Sequence, residues 1–338
     1  MTDALALVIG RFQPFHRGHD ALCRSALETA PRLLIVLGSG GQAPDIRNPW
    51  SDGQRETMIR ASLPDIAPER LIFAAVPDVL YDEAVWLGYV REAVGRASGT
   101  APVTLFGHHK DASSYYLALF PEWQYREVPN VDGISATPQR ERLLAADDPV
   151  AMLDSLREAF TDAGLAALRP RLMEPTFAAL QAEYAAVQSF RAAWADAPYP
   201  PIFVTVDALV TCGDEVLLVQ RGQQPGKNLW ALPGGFLDVA ERLEAGARRE
   251  LQEETGLDLS ACAHQLRGSR AYDAPDRSVR GRFVTHLFHF ALDGAPPPVR
   301  GADDAAAARW WPVAELDAWQ MFEDHYCIIQ HALDRYAR

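Results

Sequence analysis

Apolar residues follow two rhythms along this chain. Up to about residue 107, short unbroken apolar runs alternate with stretches of helical spacing. ALALVIG (4–10), RLLIVLGSG (32–40), RLIFAAV (70–76) and VTLFG (103–107) have strand length and little polar alternation, as strands buried on both faces do. Leu22, Ala26, Leu27 and Ala30 share one face of a helix over 18–30. Ser51-x-x-Gln54 has the form of a capping box and opens a second helix, and a third is expected near 82–97. Buried strands alternating with helices predict an α/β domain with a parallel sheet covered on both faces. Ligands of such sheets bind beyond the carboxyl ends of the strands.

Residues 140–196 are Ala-rich and read as helices interrupted around Pro170 and Pro175. ADAPYPPI (195–202) is rigid and unsuited to a helix. From 202 the pattern turns β-rich: IFVTVDALVT and EVLLVQR flank a CGD turn. A helix over about 241–255, strands near 263–272 and 282–292, and a final helix near 320–337 follow. This predicts a domain over 1–172, a connecting helix and Pro-rich linker over 173–200, and a second domain over 201–338.

A length of 338 residues suits two or three domains, and 48% hydrophobic with 23% charged residues is ordinary for a folded chain. With 32 basic and 45 acidic residues the net charge is −13, which argues against a nucleic-acid coat but permits a nucleotide substrate met by a few placed donors. Cys23, Cys212, Cys262 and Cys327 form no metal or disulfide pattern and read as side chains of a reducing compartment. The first residues lack the basic start of a signal peptide, and no run approaches the ~18 apolar residues of a membrane span. A cytoplasmic location is expected, with neither nucleic acid nor membrane as partner.

The first chemical site follows the first strand. Gly10-Arg11-Phe12-Gln13-Pro14-Phe15-His16-Arg17-Gly18-His19 puts two imidazoles, two guanidiniums and a turn glycine at a helix start. Gly18 lets backbone approach a phosphate, and the free N–H groups of the helix favour an anion. His16 and His19 can then stabilise charge on a transferring phosphoryl group without a covalent intermediate.

This decapeptide resembles the HxGH signature of nucleotidyltransferases, in the form found in archaeal-type nicotinamide mononucleotide (NMN) adenylyltransferases. Ile134-Ser135-Ala136-Thr137-Pro138-Gln139-Arg140 resembles that family's ISxTxxR. Thr137 and Pro138 suit N-cap and N1, which would place Arg140 in the first helical turn. Gly38-Ser39-Gly40 with Arg47-Asn48-Pro49-Trp50 resembles the GSA…RNPF loop, with Trp50 in place of Phe, and implies that Arg47 holds the NMN phosphate. Asp78 and Trp86 resemble the nicotinamide-binding segment, although Trp86 equally suits a core. Within FGHHKDASSYY (106–116), Asp111 is the expected contact. The resemblance implies a Rossmann-like fold and attack of the NMN phosphate on the α-phosphorus of ATP, giving NAD and pyrophosphate. His16 and His19 would act at the transferring phosphate, Arg11 and Arg140 on the ATP phosphates. Gly10, Phe12, Gly18, Ser39, Asn48, Ser135 and Thr137 would complete the binding set, and Mg²⁺ would bridge phosphates.

The second site runs from Gly235 to Leu257 and satisfies every fixed position of the Nudix box, G-x5-E-x7-R-E-U-x-E-E-x-G-U, nine specified positions in 23. On a helix, Glu250, Glu253 and Glu254 share one face. A solvated acidic face is the bland alternative, but the flanking glycines and the Arg249–Glu250 pair specify more than solvation needs. Three hard oxygen ligands suit Mg²⁺ or Mn²⁺, which would bind a pyrophosphate and activate water. Glu250 and Glu254 are the catalytic candidates. Glu244, Glu250 and an acidic residue of a later loop remain open as general base. Arg249 and Glu241 would orient the cluster, and Gly256 would close the helix. The box implies a Nudix α/β/α sandwich. Residues 231–236, 272–282, 303–305 and 309–311 resemble members acting on ADP-ribose, with AMP and ribose 5-phosphate as products. Arg277, Arg280 and Arg282 are candidates for a terminal phosphate or a neighbouring subunit.

With both matches in order and a joining segment (177–209) of the same kind, the chain resembles bifunctional NMN adenylyltransferase/Nudix proteins over nearly its whole length. Three rivals remain: an adenylyltransferase for a pantetheine or flavin phosphate, an ADP-ribose-sensing regulator, and a scaffold with one dead site. The sensor would need a winged helix that the roughly 45 residues after the last expected strand do not accommodate. Homo-oligomerisation stays open.

Overall fold

A computed structural model of the chain describes residues 4–108, 112–129, 133–262 and 264–334. The chain divides into two compact units, Met1–Val79 with Glu83–Gln181, and Leu80–Asp82 with Ala182–Arg338.

In the first unit the apolar runs become β1 (Leu5–Gly10), β2 (Arg32–Leu37), β3 (Leu71–Ala75) and β4 (Val103–Gly107), all parallel, with β5 (Gln124–Glu127) at the edge in the order β3-β2-β1-β4-β5. Helices α1 (Arg17–Thr29), α2 (Asp52–Ser62) and α3 (Glu83–Ser98) lie between them in sequence. The runs are continuous because both faces are covered. Ala6, Val8, Leu33, Ile35 and Leu37 pack with Cys23, Ala26 and Leu27 of α1 and Ile59 of α2. Leu5, Leu7, Ile9, Leu34 and Val36 pack with Val90, Ala93 and Val94 of α3. The strand order reverses direction between β1 and β4, which leaves a crevice at their carboxyl ends. Ser51 caps α2 reciprocally with Gln54, as its spacing predicts. β5 was not anticipated: its four residues are all exposed and carry no apolar signal.

The Ala-rich stretch forms α4 (Ala136–Ala145), α5 (Pro149–Ser155), α6 (Asp162–Leu168) and α7 (Pro175–Ala192), with a 3₁₀ turn over Arg169–Met173. The N-cap of α4 is Ser135, not Thr137, so Arg140 lies in the second turn rather than the first. The division between units falls inside α7, within the connecting stretch 173–200. Gln181 Nε2 donates to the carbonyls of Leu144 and Ala146 in the first unit, while Glu183 accepts from the Gly226 N–H in the second.

The second unit holds β6 (Ile202–Cys212), β7 (Glu215–Arg221), β8 (Trp230–Ala231), β9 (Gly234–Phe236), α8 (Leu243–Thr255), β10 (His264–Tyr272), β11 (Arg282–Leu292), β12 (Ala305–Pro312) and α9 (His325–Ala332). Its main sheet runs β10-β11-β6-β7-β12, with β8 on β7 and β9 on β6. Val206, Ala208 and Val210 of β6 pack on Ala247 and Leu251 of α8. On the opposite face Leu209, Leu218 and Leu287 pack on Ile328 and Ile329 of α9. One sheet between two helices is the expected sandwich. α9 is shorter than the expected 320–337, because short 3₁₀ turns over Val313–Glu315 and Ala318–Gln320 precede it. All four cysteines are free thiols, and among the described residues no helix is long and apolar enough to cross a membrane.

Two candidate active sites

β1 ends at Gly10, and the loop that follows turns back into α1 through Phe12, which is in the left-handed region at φ 54°. A Cβ on Gly10 would meet the Phe12 ring at 3.0 Å, a contact tight enough that the ring would have to shift. His16 is the N-cap of α1. Its Nδ1 accepts from the Gly18 N–H at 3.1 Å, and His19 Nδ1 accepts from the His16 N–H at 3.3 Å. The HxxH spacing is therefore that of a capping box built from imidazoles. The rings stack with centroids 3.7 Å apart, and the edge of Phe12 supports His19. Because each Nδ1 is an acceptor, Nε2 carries the proton of each neutral ring.

A cavity of about 250 Å³ opens here, lined by Gly10, Arg11, Phe12, His16, Gly18 and His19 from one motif and by Ser135, Thr137 and Arg140 from the other. The two motifs are thus brought together at the end of β1. Arg140 is buried. Its Nε donates to the Ile46 carbonyl (3.0 Å) and its Nη1 to the Gln13 carbonyl (2.7 Å), so it braces two loops as well as lining the cavity. Burial, reinforced by Arg11, lowers its pKa to about 10.

Ser39, Arg47, Asn48, Asp78 and Trp86 do not line this cavity. Ser39 lies at φ 51° and donates its N–H to Asp78 Oδ1 at 3.2 Å. The N–H groups of Arg47 and Asn48 both donate to Asp45, whose carboxyl burial pushes up, and the Asn48 Oδ1 is buried without a partner. Trp86 packs against Tyr116 and Phe120 in the α3 core. Asp111 lies outside the described residues. Arg55 was missed by sequence reasoning. It is 1% exposed and bonds the main chain of both phosphate-type loops.

In the second unit α8 presents its glutamates beside β9. The Glu254 carboxylate accepts from the Gly234 N–H at 3.0 Å, and burial pushes it up to about 8. Burial also raises Glu250. Arg249 Nη1 bridges Glu250 (2.9 Å) and the half-exposed Glu253 (2.8 Å), and its Nη2 reaches Glu241 at 2.7 Å. Glu241 is lowered by that contact, and the surrounding carboxylates push Arg249 up. A Cβ on Gly235 would lie 2.5 Å from the Glu250 carboxylate. Gly256 closes α8 at φ 71°, as its position predicts.

A cavity of about 140 Å³ is lined by Glu254, Asp207, Arg221, Arg277, Arg280 and Asp304, among others. Arg277 is buried in a bidentate pair with Asp324 (both 2.9 Å), and the Tyr81 hydroxyl donates to the same carboxylate. Arg282 Nη1 donates to the carbonyls of Asp273, Ala274 and Phe283, and the residue does not line this cavity. Asp207, Arg221 and His325 were not foreseen. His325 Nδ1 accepts from the Leu232 N–H, and burial with Arg277 nearby keeps its pKa well below the usual imidazole value. Of the general-base candidates, Glu244 is paired with Arg248 and Glu250 with Arg249, while Asp304 and Glu323 line the cavity.

Among the described residues no three carboxylate or imidazole groups already converge as an ion site. The donor set nevertheless fits a divalent cation. It is all oxygen and gathered on one helix face, and burial raises two of its members.

Residues 201–332 match the NUDIX domain model, and residues 7–82 match the cytidylyltransferase-like model. The structure of a bifunctional NMN adenylyltransferase/ADP ribose pyrophosphatase from Francisella tularensis, complexed with AMP and a manganese ion, is 33% identical. It has a TM-score of 0.86 and 99% of each chain is covered. The chain belongs to the bifunctional NMN adenylyltransferase/ADP-ribose pyrophosphatase family. Further relatives match parts of the chain. A nicotinamide/nicotinic acid mononucleotide adenylyltransferase of Acinetobacter baylyi is 39% identical over 135 residues, which is 39% of this chain and 71% of that protein. An ADP-ribose pyrophosphatase of Methanocaldococcus jannaschii is 34% identical over 127 residues, which is 38% and 70% respectively. As a member of the bifunctional family, the chain combines a nucleotidyltransferase with a Nudix hydrolase.

Proposed function

We propose that the first unit transfers the adenylyl group of ATP to NMN, releasing pyrophosphate and forming NAD, and that the second hydrolyses ADP-ribose to AMP and ribose 5-phosphate. The observation that carries the first activity is the imidazole capping box sharing one cavity with Arg11 and Arg140. The Nε2–H groups of His16 and His19 stabilise charge on the phosphoryl oxygens as the nucleophile attacks, while the helix N–H groups and Arg11 orient the chain of phosphates. The NMN phosphate is already ionised, so no general base is needed. Ser39, Arg47, Asn48 and Asp78 form the NMN side of the site.

In the second unit Glu250, Glu253 and Glu254 would hold a divalent cation, Mg²⁺ in our reading, with Mn²⁺ as its substitute. When bound there, such an ion would supply Lewis-acid chemistry toward the pyrophosphate and toward water. Arg249 keeps the carboxylates on one face, and Arg277 supplies positive charge for the phosphates from a position fixed by Asp324. Free cysteines and nucleotide substrates fit a cytoplasmic protein.

Product analysis by chromatography tests both activities, with NMN and ATP in one reaction and ADP-ribose in another, each with Mg²⁺. NAD in the first, and AMP with ribose 5-phosphate in the second, are the expected products. Adenylation of a pantetheine or flavin phosphate in preference to NMN would replace the first reading.

A further inference from the structure

Arg55 has no place in the chemistry described so far, yet it is among the most deeply buried side chains of the first unit. It lies in the first turn of α2 with 1% of its surface exposed. A cation so placed is costly unless most of its donors are taken up; its two terminal nitrogens are, while Nε is buried without a partner. Nη1 donates to the carbonyls of Arg11 (2.8 Å) and Gly38 (2.7 Å), and Nη2 to the carbonyl of Ser39 (3.3 Å) and to Asp52 Oδ1 (2.6 Å). Three of the four acceptors are main-chain carbonyls, taken from the loops that follow β1 and β2.

Those carbonyls belong to particular peptides. The Arg11 carbonyl is in the peptide that enters Phe12, and the Gly38 carbonyl is in the peptide that enters Ser39. Phe12 and Ser39 are non-glycine residues in the left-handed region, at φ 54° and 51°. Such a conformation is disfavoured for L-residues and persists where the surroundings over-determine it. Asp52 adds to the constraint by accepting the Gly41 N–H at 3.1 Å from the second loop.

We propose that Arg55 is a positioning residue for adenylyl transfer, fixing the peptides that enter Phe12 and Ser39 so that the ATP loop and the NMN loop keep one mutual geometry. The assignment rests on reading the first unit as the NMN adenylyltransferase. A planar guanidinium can serve four acceptors in a shared plane, whereas a lysine ammonium at the same place cannot.

The test uses the full chain. Arg55→Lys is expected to lower kcat/KM for NAD synthesis by about ten- to hundredfold, through KM for both ATP and NMN, because small displacements of bound reactants are costly. Hydrolysis of ADP-ribose by the same preparation is expected to stay at the wild-type rate. Glycine adopts positive φ freely, so the effect of Arg55→Lys on KM for NMN should shrink when measured against Ser39→Gly, while its effect on KM for ATP persists. A stabilising role alone would not separate the two substrates in this way. If Arg55→Lys does not fold, Asp52→Asn should raise both KM values in the same direction but less. Unchanged kinetics in Arg55→Lys, or an effect that Ser39→Gly relieves for both substrates or for neither, would overturn the proposal. Wild-type protein that makes no NAD would instead overturn the underlying assignment.

Discussion

At the scale of single residues, the candidate catalytic side chains also do structural jobs. In the proposed chemistry His19 stabilises charge through Nε2, and its Nδ1 completes the capping box of α1. His19→Ala is therefore expected to lower kcat for NAD synthesis by about 100- to 1000-fold and to cost about 1 kcal/mol of stability as a lost cap. Coupled assays and thermal unfolding would separate the two effects. Glu253→Gln should abolish ADP-ribose hydrolysis and leave NAD synthesis intact, checked on the same preparation. Asp207 gives a pH dependence. Burial raises it to about 6 from an ordinary 3.8, so the folded state retains a proton that the unfolded state has lost. Stability of the second unit should accordingly fall as pH rises from about 4 to 6, by up to about 3 kcal/mol. Denaturant titrations across that range should show the slope, and Asp207→Asn should flatten it.

At the scale of elements, the sequence was most legible where one pattern had one physical solution. Apolar runs buried on both faces became β1 to β4, and the three-glutamate face became α8. β5 was illegible because an exposed edge strand carries no apolar signal, and β8 and β9 because strands of two and three residues have no period to detect. The motif residues were readable as a set, but their jobs were not. Arg282 bonds its own loop and Trp86 packs among the rings of the α3 core, and one Arg or Trp looks alike in sequence whichever role it has. Arg55 and His325 were missed since neither belongs to a spaced pattern, and apart from Asp52 the partners cited for them are main-chain groups distant in sequence. The β9–α8 junction yields its own prediction. Gly235→Ala drives a methyl against the Glu250 carboxylate and should lower kcat/KM for ADP-ribose by on the order of tenfold or more, equivalent to ~1.4 kcal/mol. Steady-state kinetics would reveal it, with NAD synthesis as the internal reference.

At the scale of the whole molecule, a net charge of −13 is compatible with two proposed sites for anionic substrates because the positive charge is local. Arg11 and Arg140 line one cavity, and Arg221, Arg277 and Arg280 line the other. Saturating one site with its substrate should leave the other activity measurable, and a loss of both activities from one site variant in a folded protein would count against two separate chemistries. The three residues Leu80–Asp82 have a consequence for synthesis on the ribosome. Tyr81 belongs to the second unit, and its partner Asp324 follows 243 residues later. At about 5–20 residues per second, that hydroxyl waits roughly 10–50 s for its carboxylate. The early strands can meanwhile pair into their sheet, so the molecule must emerge with a short stretch of finished chain held in reserve for the half not yet made.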